Sequence, residues 1–193
     1  MIKIQEISPD QLNAYAKVPI SFTVSSILQI ELLQNGLGGI LLKEEPVEFP
    51  YRKDYDDSPE GGPLNWSSHF EIKNWGFFLA SDNLKPIAAA AIAFNTNGVN
   101  MLEERDDLSV LWDIRVRQEN RGSGIGRTLF TRACEWSANH GCRQMKIETQ
   151  NINTRACHFY RNMGCNLGGI HRYAYLRDPK IAHEIMLNWY IDL

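Results

Sequence analysis

The string Arg121-Gly122-Ser123-Gly124-Ile125-Gly126 constrains this chain more than any other. Before it, Ser109 to Val116 alternates as a half-buried strand does. After it, Gly124 to His140 places Ile125, Leu129, Ala133, Trp136 and His140 on one stripe at helical spacing. A strand therefore turns through glycines into a helix start, where free N–H groups and the positive end of the helix dipole attract an anion. Gly122, Ser123, Gly124, Ile125 and Gly126 form a candidate phosphate-binding turn, and Arg121 and Arg127 flank it with charge. Two common phosphate fingerprints fail here. A G-x-x-x-x-G-K-[ST] loop ending on Gly126-Arg127-Thr128 would need glycine at Arg121 and lysine at Arg127. A G-x-G-x-x-G fingerprint starting at Gly122 would need its third glycine at Arg127.

The remaining elements follow from periodicity and punctuation. Met1 to Ile7 reads as a strand, and Ser8-Pro9-Asp10 opens a short helix through Tyr15. Val24 to Leu33 reads as a second apolar helix, stopped by Asn35-Gly36 and Gly38-Gly39. Gly39 to Val47 is a strand. Glu48 to Trp66, with Pro50, Pro59, Pro63, Asp54, Asp56, Asp57 and Glu60, reads as a long acidic loop. Trp75 to Ala80 and Pro86 to Phe94 form a hairpin around Ser81-Asp82-Asn83, with alanines 88 to 91 leaving a flat face. Gln144 to Thr149 is a strand and Asn153 to Met163 a helix, and Cys165 to Leu176 and Glu184 to Ile191 are strands. The order is β-α-α-β-β-β-α-β-α-β-β, a single α/β domain over residues 1–193.

A second motif follows the first. Glu148-Thr149-Gln150 ends a strand, and Asn153-x-x-Ala156-x-x-Phe159-Tyr160-x-x-x-Gly164 follows. With R-x-x-G-x-G at Arg121, Gly124 and Gly126, this resembles the GNAT N-acetyltransferase superfamily. Cys165 departs from the phenylalanine usual at that position. Glu148 to Tyr160 and Asp113-Ile114-x-Val116 resemble the streptothricin acetyltransferases within the superfamily, with a weaker echo in Pro50-Tyr51-x-Lys53-x-Tyr55. The resemblance implies a central mixed, mostly antiparallel sheet splayed between its fourth and fifth strands and flanked by about four helices. It implies acetyl-CoA as co-substrate and a small-molecule amine as acceptor. A streptothricin-type antibiotic, a polycation, would suit the acidic loop.

The same resemblance distributes roles. Backbone groups near Ile114 and Val116 would receive the pantetheine arm, with Asn153, Ala156 and Phe159 along the other side. Asn153 also reads as a helix N-cap. Tyr160 is the candidate general acid, since a phenol of pKa about 10 can protonate a thiolate whose acid lies at about 8.5. Glu148 is the first candidate for the base that deprotonates the amine, and Asp113 the second.

Composition narrows the alternatives. A net charge of −3 and a pI near 6.0 give no footprint for nucleic acid. No run reaches the roughly 18 apolar residues of a membrane span. The N-terminal residues show no apolar leader core, so a cytoplasmic location is expected. The cysteines Cys134, Cys142, Cys157 and Cys165 have no metal-ligand spacing and read as buried reduced thiols, so no metal is expected. Superfamily members often pair through C-terminal strands, which implies a homodimer. Acetylation of a protein lysine or N-terminus, and a catalytically silent acyl-CoA sensor, are the rival functions.

Overall fold

The computed structural model describes residues 1–57 and 61–193. Its elements are β1 (Ile2–Glu6), α1 (Leu12–Tyr15), β2 (Phe22–Leu33), β3 (Gly39–Lys53), α2 (Trp66–His69), β4 (Gly76–Asp82), β5 (Lys85–Ala93), β6 (Leu108–Val116), α3 (Ile125–Asn139), β7 (Gln144–Gln150), α4 (Thr154–Asn162), β8 (Asn166–His171) and β9 (Met186–Asp192). Seven strands hydrogen-bond in the order β1-β4-β5-β6-β7-β9-β8, and β2 and β3 form a separate hairpin. β6 and β7 run parallel, whereas β1/β4, β4/β5, β5/β6 and β8/β9 are antiparallel. This is the mixed sheet that the motifs implied, with β6 and β7 fourth and fifth in it. Two compact units divide the chain: Met1–Ser21 with Asp54–Ile147 and Ile191–Leu193, and Phe22–Lys53 with Glu148–Tyr190.

In the first unit the alanine run does what a flat face permits. Ala89, Ala91 and Ala93 are fully buried against an aromatic cluster of Tyr15, Trp66, Trp75 and Phe77. Ring centroids lie 5.5 Å apart for Tyr15 and Trp66, and 6.2 Å for Trp75 and Phe77. The absent side chain at Gly76 lets α3 approach the sheet, because a Cβ there would meet the Trp136 ring at 2.7 Å. The expected α3 stripe is buried at Ile125, Leu129, Ala133 and Trp136, while His140 caps the helix and stacks on Trp136 at 3.7 Å.

β6 carries an irregularity against β5. Against β5, Asp113 pairs with Ala91 and Leu111 with Ile92, so Trp112 is an extra residue. Such a bulge changes which residues share a face. The parallel register with β7 runs from Leu108↔Gln144 to Leu111↔Ile147 and ends there, at the bulge.

The second unit overturns one expectation outright. Val24 to Leu33 is strand, not helix, within β2. Val24 and Leu28 are buried and Phe22, Ser26, Ile30 and Leu32 half-buried, while Thr23, Ser25, Gln29, Glu31 and Leu33 are exposed, a period of two that only the half-buried Ile27 breaks. The apolar residues also match a helical stripe, but β-branched Thr23, Val24, Ile27 and Ile30 favour the pleat. Asn35-Gly36 is then a hairpin turn rather than a helix stop, with Gln34, Asn35 and Gly36 at φ 49°, 56° and 100°. β3 extends to Lys53, through what was expected to be loop from Glu48 onward. The expected loop ends at Trp66, where the one-turn helix α2 begins, so four helices are described but one lies where none was expected. Pro59 and Glu60 of that loop lie outside the described residues. The expected strand Cys165 to Leu176 stops at His171, and consecutive turns follow, held by Asp178 N–H to Tyr175 O at 3.0 Å and Glu184 N–H to Ile181 O at 2.8 Å.

Candidate functional site

In the first unit the glycine turn has the features an anion requires. Gly124 caps α3 at φ 88° with no side-chain cap, and no acid occupies the first turn. The first intrahelical bond is Thr128 N–H to Gly124 O at 3.1 Å, so the N–H groups ahead of it have no helical acceptor. A Cβ at Gly122 or Gly124 would meet nothing within 4 Å, so the space beside both is open. Gly122 also adopts a left-handed φ of 82°. Arg127 is exposed in the first turn, where a cation opposes the helix dipole. An uncapped helix start with an arginine and no acid is locally unfavourable unless an anion sits there, so these residues fit the pyrophosphate of acetyl-CoA. Ser123 Oγ donates to Asn120 O at 2.7 Å. Arg121 also fixes the turn to the end of β6: its Nε donates to Val116 O at 3.0 Å and its Nη2 to Ser21 O at 2.9 Å.

Asp113, the second candidate base, is tied into a buried network in the same unit. Its Oδ1 accepts from Tyr15 Oη at 2.6 Å and Arg115 Nε at 2.9 Å, and its Oδ2 accepts from Arg115 Nη2 at 2.7 Å. Arg115 is only 2% exposed, and also binds both Asp56 oxygens at 2.9 and 3.0 Å and Val18 O at 3.0 Å. Burial alone would lower the Arg115 pKa, but the adjoining Asp113 and Asp56 carboxylates raise it above its ordinary value. Burial, then the Asp113 charge, holds Tyr15 well above the usual phenol range. Both carboxylate oxygens of Asp113 are taken up by this network. Asp113 therefore anchors Arg115, which in turn anchors the acidic segment through Asp56. Ile114 and Val116, on the intervening positions of β6, are half-buried.

The other predicted residues gather in the second unit. Asn153 is the N-cap of α4, its Oδ1 accepting from Ala156 N–H at 3.2 Å. Tyr160 is 5% exposed and meets the Phe159 ring edge-on at 5.3 Å. Ala156 and Phe159 are half-buried beside it. Glu148 is half-buried near the end of β7. Its Oε1 accepts from Tyr175 Oη at 2.6 Å and from Gln150 Nε2 at 3.2 Å, and that amide also donates to Tyr175 Oη at 2.7 Å. The sequence reading missed Tyr175 and Gln150 as Glu148's partners, because Tyr175 was assigned to a strand. Two cysteines are inert by environment, with burial pushing the Cys157 and Cys134 thiols up to about 11. All four cysteines are unbridged, and no group of three metal-ligating side chains forms among the described residues. No helix among them is long and apolar enough to cross a membrane.

The comparison with known proteins gives the chain its family. The model of the acetyltransferase (GNAT) family matches residues 40–165, and the chain belongs to that family. It is an acetyl-CoA-dependent N-acetyltransferase. Among characterised relatives it is similar to streptothricin acetyltransferase A of Bacillus subtilis, 33% identical over 148 residues and 76% of each chain. It is also similar to streptothricin acetyltransferase of Escherichia coli, 26% identical over 187 residues, 95% of this chain and 92% of the relative. In fold it resembles nourseothricin acetyltransferase, with a TM-score of 0.75 at 24% identity over 99% and 98% of the two chains.

Proposed function

We propose that this enzyme acetylates a primary amine of a small cationic molecule of the streptothricin class. The likeness to two streptothricin acetyltransferases over three quarters or more of each chain carries this reading. The net charge of −3 supports it, because an acidic surface attracts a polycation. The N–H groups of Gly124 to Arg127 hold the pyrophosphate of acetyl-CoA, with Gly122 and Ser123 giving close approach and Arg127 adding charge. Main-chain groups near Ile114 and Val116, with Asn153, Ala156 and Phe159, hold the pantetheine arm. Bound acetyl-CoA supplies the acetyl group as a thioester.

The chain's own residues then manage two protons. An alkyl ammonium of pKa about 10 must lose one before it attacks. Glu148 takes that proton, its carboxylate oriented by hydrogen bonds from the Tyr175 phenol and the Gln150 amide. Tyr160 holds a proton on its phenol oxygen for the departing thiolate. Its buried position keeps that proton from bulk water.

The experiment is thiol release from acetyl-CoA by purified enzyme, with streptothricin, aminoglycosides, polyamines, free amino acids and lysine peptides offered in turn. Turnover confined to streptothricin is the expected result. A preference for lysine peptides would replace the small-molecule acceptor with a protein, and calorimetric acetyl-CoA binding without any turnover would indicate a sensor.

A further inference from the structure

Tyr175 reaches Glu148 from the run of turns between β8 and β9. Its hydroxyl donates to Glu148 Oε1 at 2.6 Å, while Gln150 Nε2 reaches the same carboxylate oxygen at 3.2 Å and the phenol oxygen at 2.7 Å. The three side chains close a triangle on one carboxylate. Glu148 and Gln150 share a face of β7 by their spacing of two. The third vertex comes from a point 25 residues further along the chain. Backbone bonds hold Tyr175 in its turn, with its carbonyl accepting from Asp178 N–H at 3.0 Å. Phenol and amide are both neutral donors, and each stabilises the ionised carboxylate it bonds.

We propose that Tyr175 is a positioning residue for the acetyl transfer: its phenol fixes the orientation of Glu148 and sets the pH at which that carboxylate begins to work. This rests on Glu148 being the base. Loss of a donor to the carboxylate destabilises its ionised form, so its pKa rises in Tyr175→Phe. An activity that needs the carboxylate then appears at higher pH. The Tyr175 phenol is a titratable group in direct contact with Glu148. Other charges on nearby segments are engaged, Lys146 with Glu103 at 2.7 Å and Lys53 with Glu184 at 2.5 Å.

The test is the pH dependence of kcat/KM for the acceptor in wild type, Tyr175→Phe, Gln150→Met and Glu148→Gln, with acetyl-CoA affinity measured for each. Tyr175→Phe should move the acidic limb up by about one pH unit, and Gln150→Met should move it less in the same direction. Acetyl-CoA affinity should hold in both. A Tyr175→Phe limb that overlays wild type while Glu148→Gln is inactive overturns the positioning role and leaves the base in place. Wild-type turnover in Glu148→Gln overturns the base, and the positioning role with it. Gln150→Met decides the matter if Tyr175→Phe does not fold, since an unmoved limb there would overturn the triangle as the source of the pKa.

Discussion

Asp113 and Glu148 are both carboxylates on sheet strands, both within family-like motifs, and the structure treats them in opposite ways. Asp113 is 8% exposed and receives two N–H bonds from one guanidinium and an O–H bond from Tyr15. Glu148 is half-buried and receives neutral donors, a phenol and an amide. The first arrangement satisfies a charge with a charge and seals both from water, which makes it architecture. The second sets neutral donors on the carboxylate, an arrangement compatible with the proposed role as base. The difference in these partners is what the proposed roles rest on.

The largest expected effect comes from breaking the sealed pair. Asp113→Asn leaves Arg115 buried with half its carboxylate partners, and removing one partner of a buried pair costs about 3–5 kcal/mol. Thermal and urea unfolding should report that loss. An unchanged Tm with a collapsed kcat would break the comparison by making Asp113 a participant in the chemistry. Glu148→Gln should do the reverse: kcat/KM for the amine falls roughly 10²–10³-fold, while the Tm stays within about a degree or two of wild type.

How far these roles were legible in the sequence depended on whether the signal was local. The glycine turn declared itself because a strand, a glycine run and a helix stripe follow one another within a single stretch of chain. Asn153 and the α4 face did so for the same reason. Asp113's partnership with Tyr15 spans 98 residues and Glu148's with Tyr175 spans 27, and no spacing rule connects such positions. The β2 error was of another kind. Residues 22–33 satisfy a two-residue and a 3.6-residue period together, and the pairing with β3 from Leu33↔Gly39 to Phe22↔Lys53 decides between them. Asn35-Gly36 held the deciding local signal, since that pair marks a hairpin more strongly than a helix end.

Two buried tyrosines sharpen the same contrast with smaller effects. Tyr160→Phe removes a proton from the chemistry and should lower kcat about tenfold to a hundredfold, with acetyl-CoA affinity and Tm retained. Unchanged turnover at neutral pH would remove Tyr160 from the mechanism. Tyr15→Phe should leave kcat alone and cost about 1–2 kcal/mol, because a buried carboxylate loses one donor but keeps its arginine. Its pH signature is more diagnostic. Burial and Asp113 hold the Tyr15 phenol well above its ordinary value, so the folded state keeps a proton that the unfolded chain releases at a pH of about 10. Stability therefore falls as pH rises past that point, since the unfolded state binds fewer protons. Phenylalanine has no proton to release, so alkaline unfolding of Tyr15→Phe should depend less steeply on pH than that of wild type. Equal slopes would mean that this phenol ionises in place, and that the network around Asp113 is open to water rather than sealed.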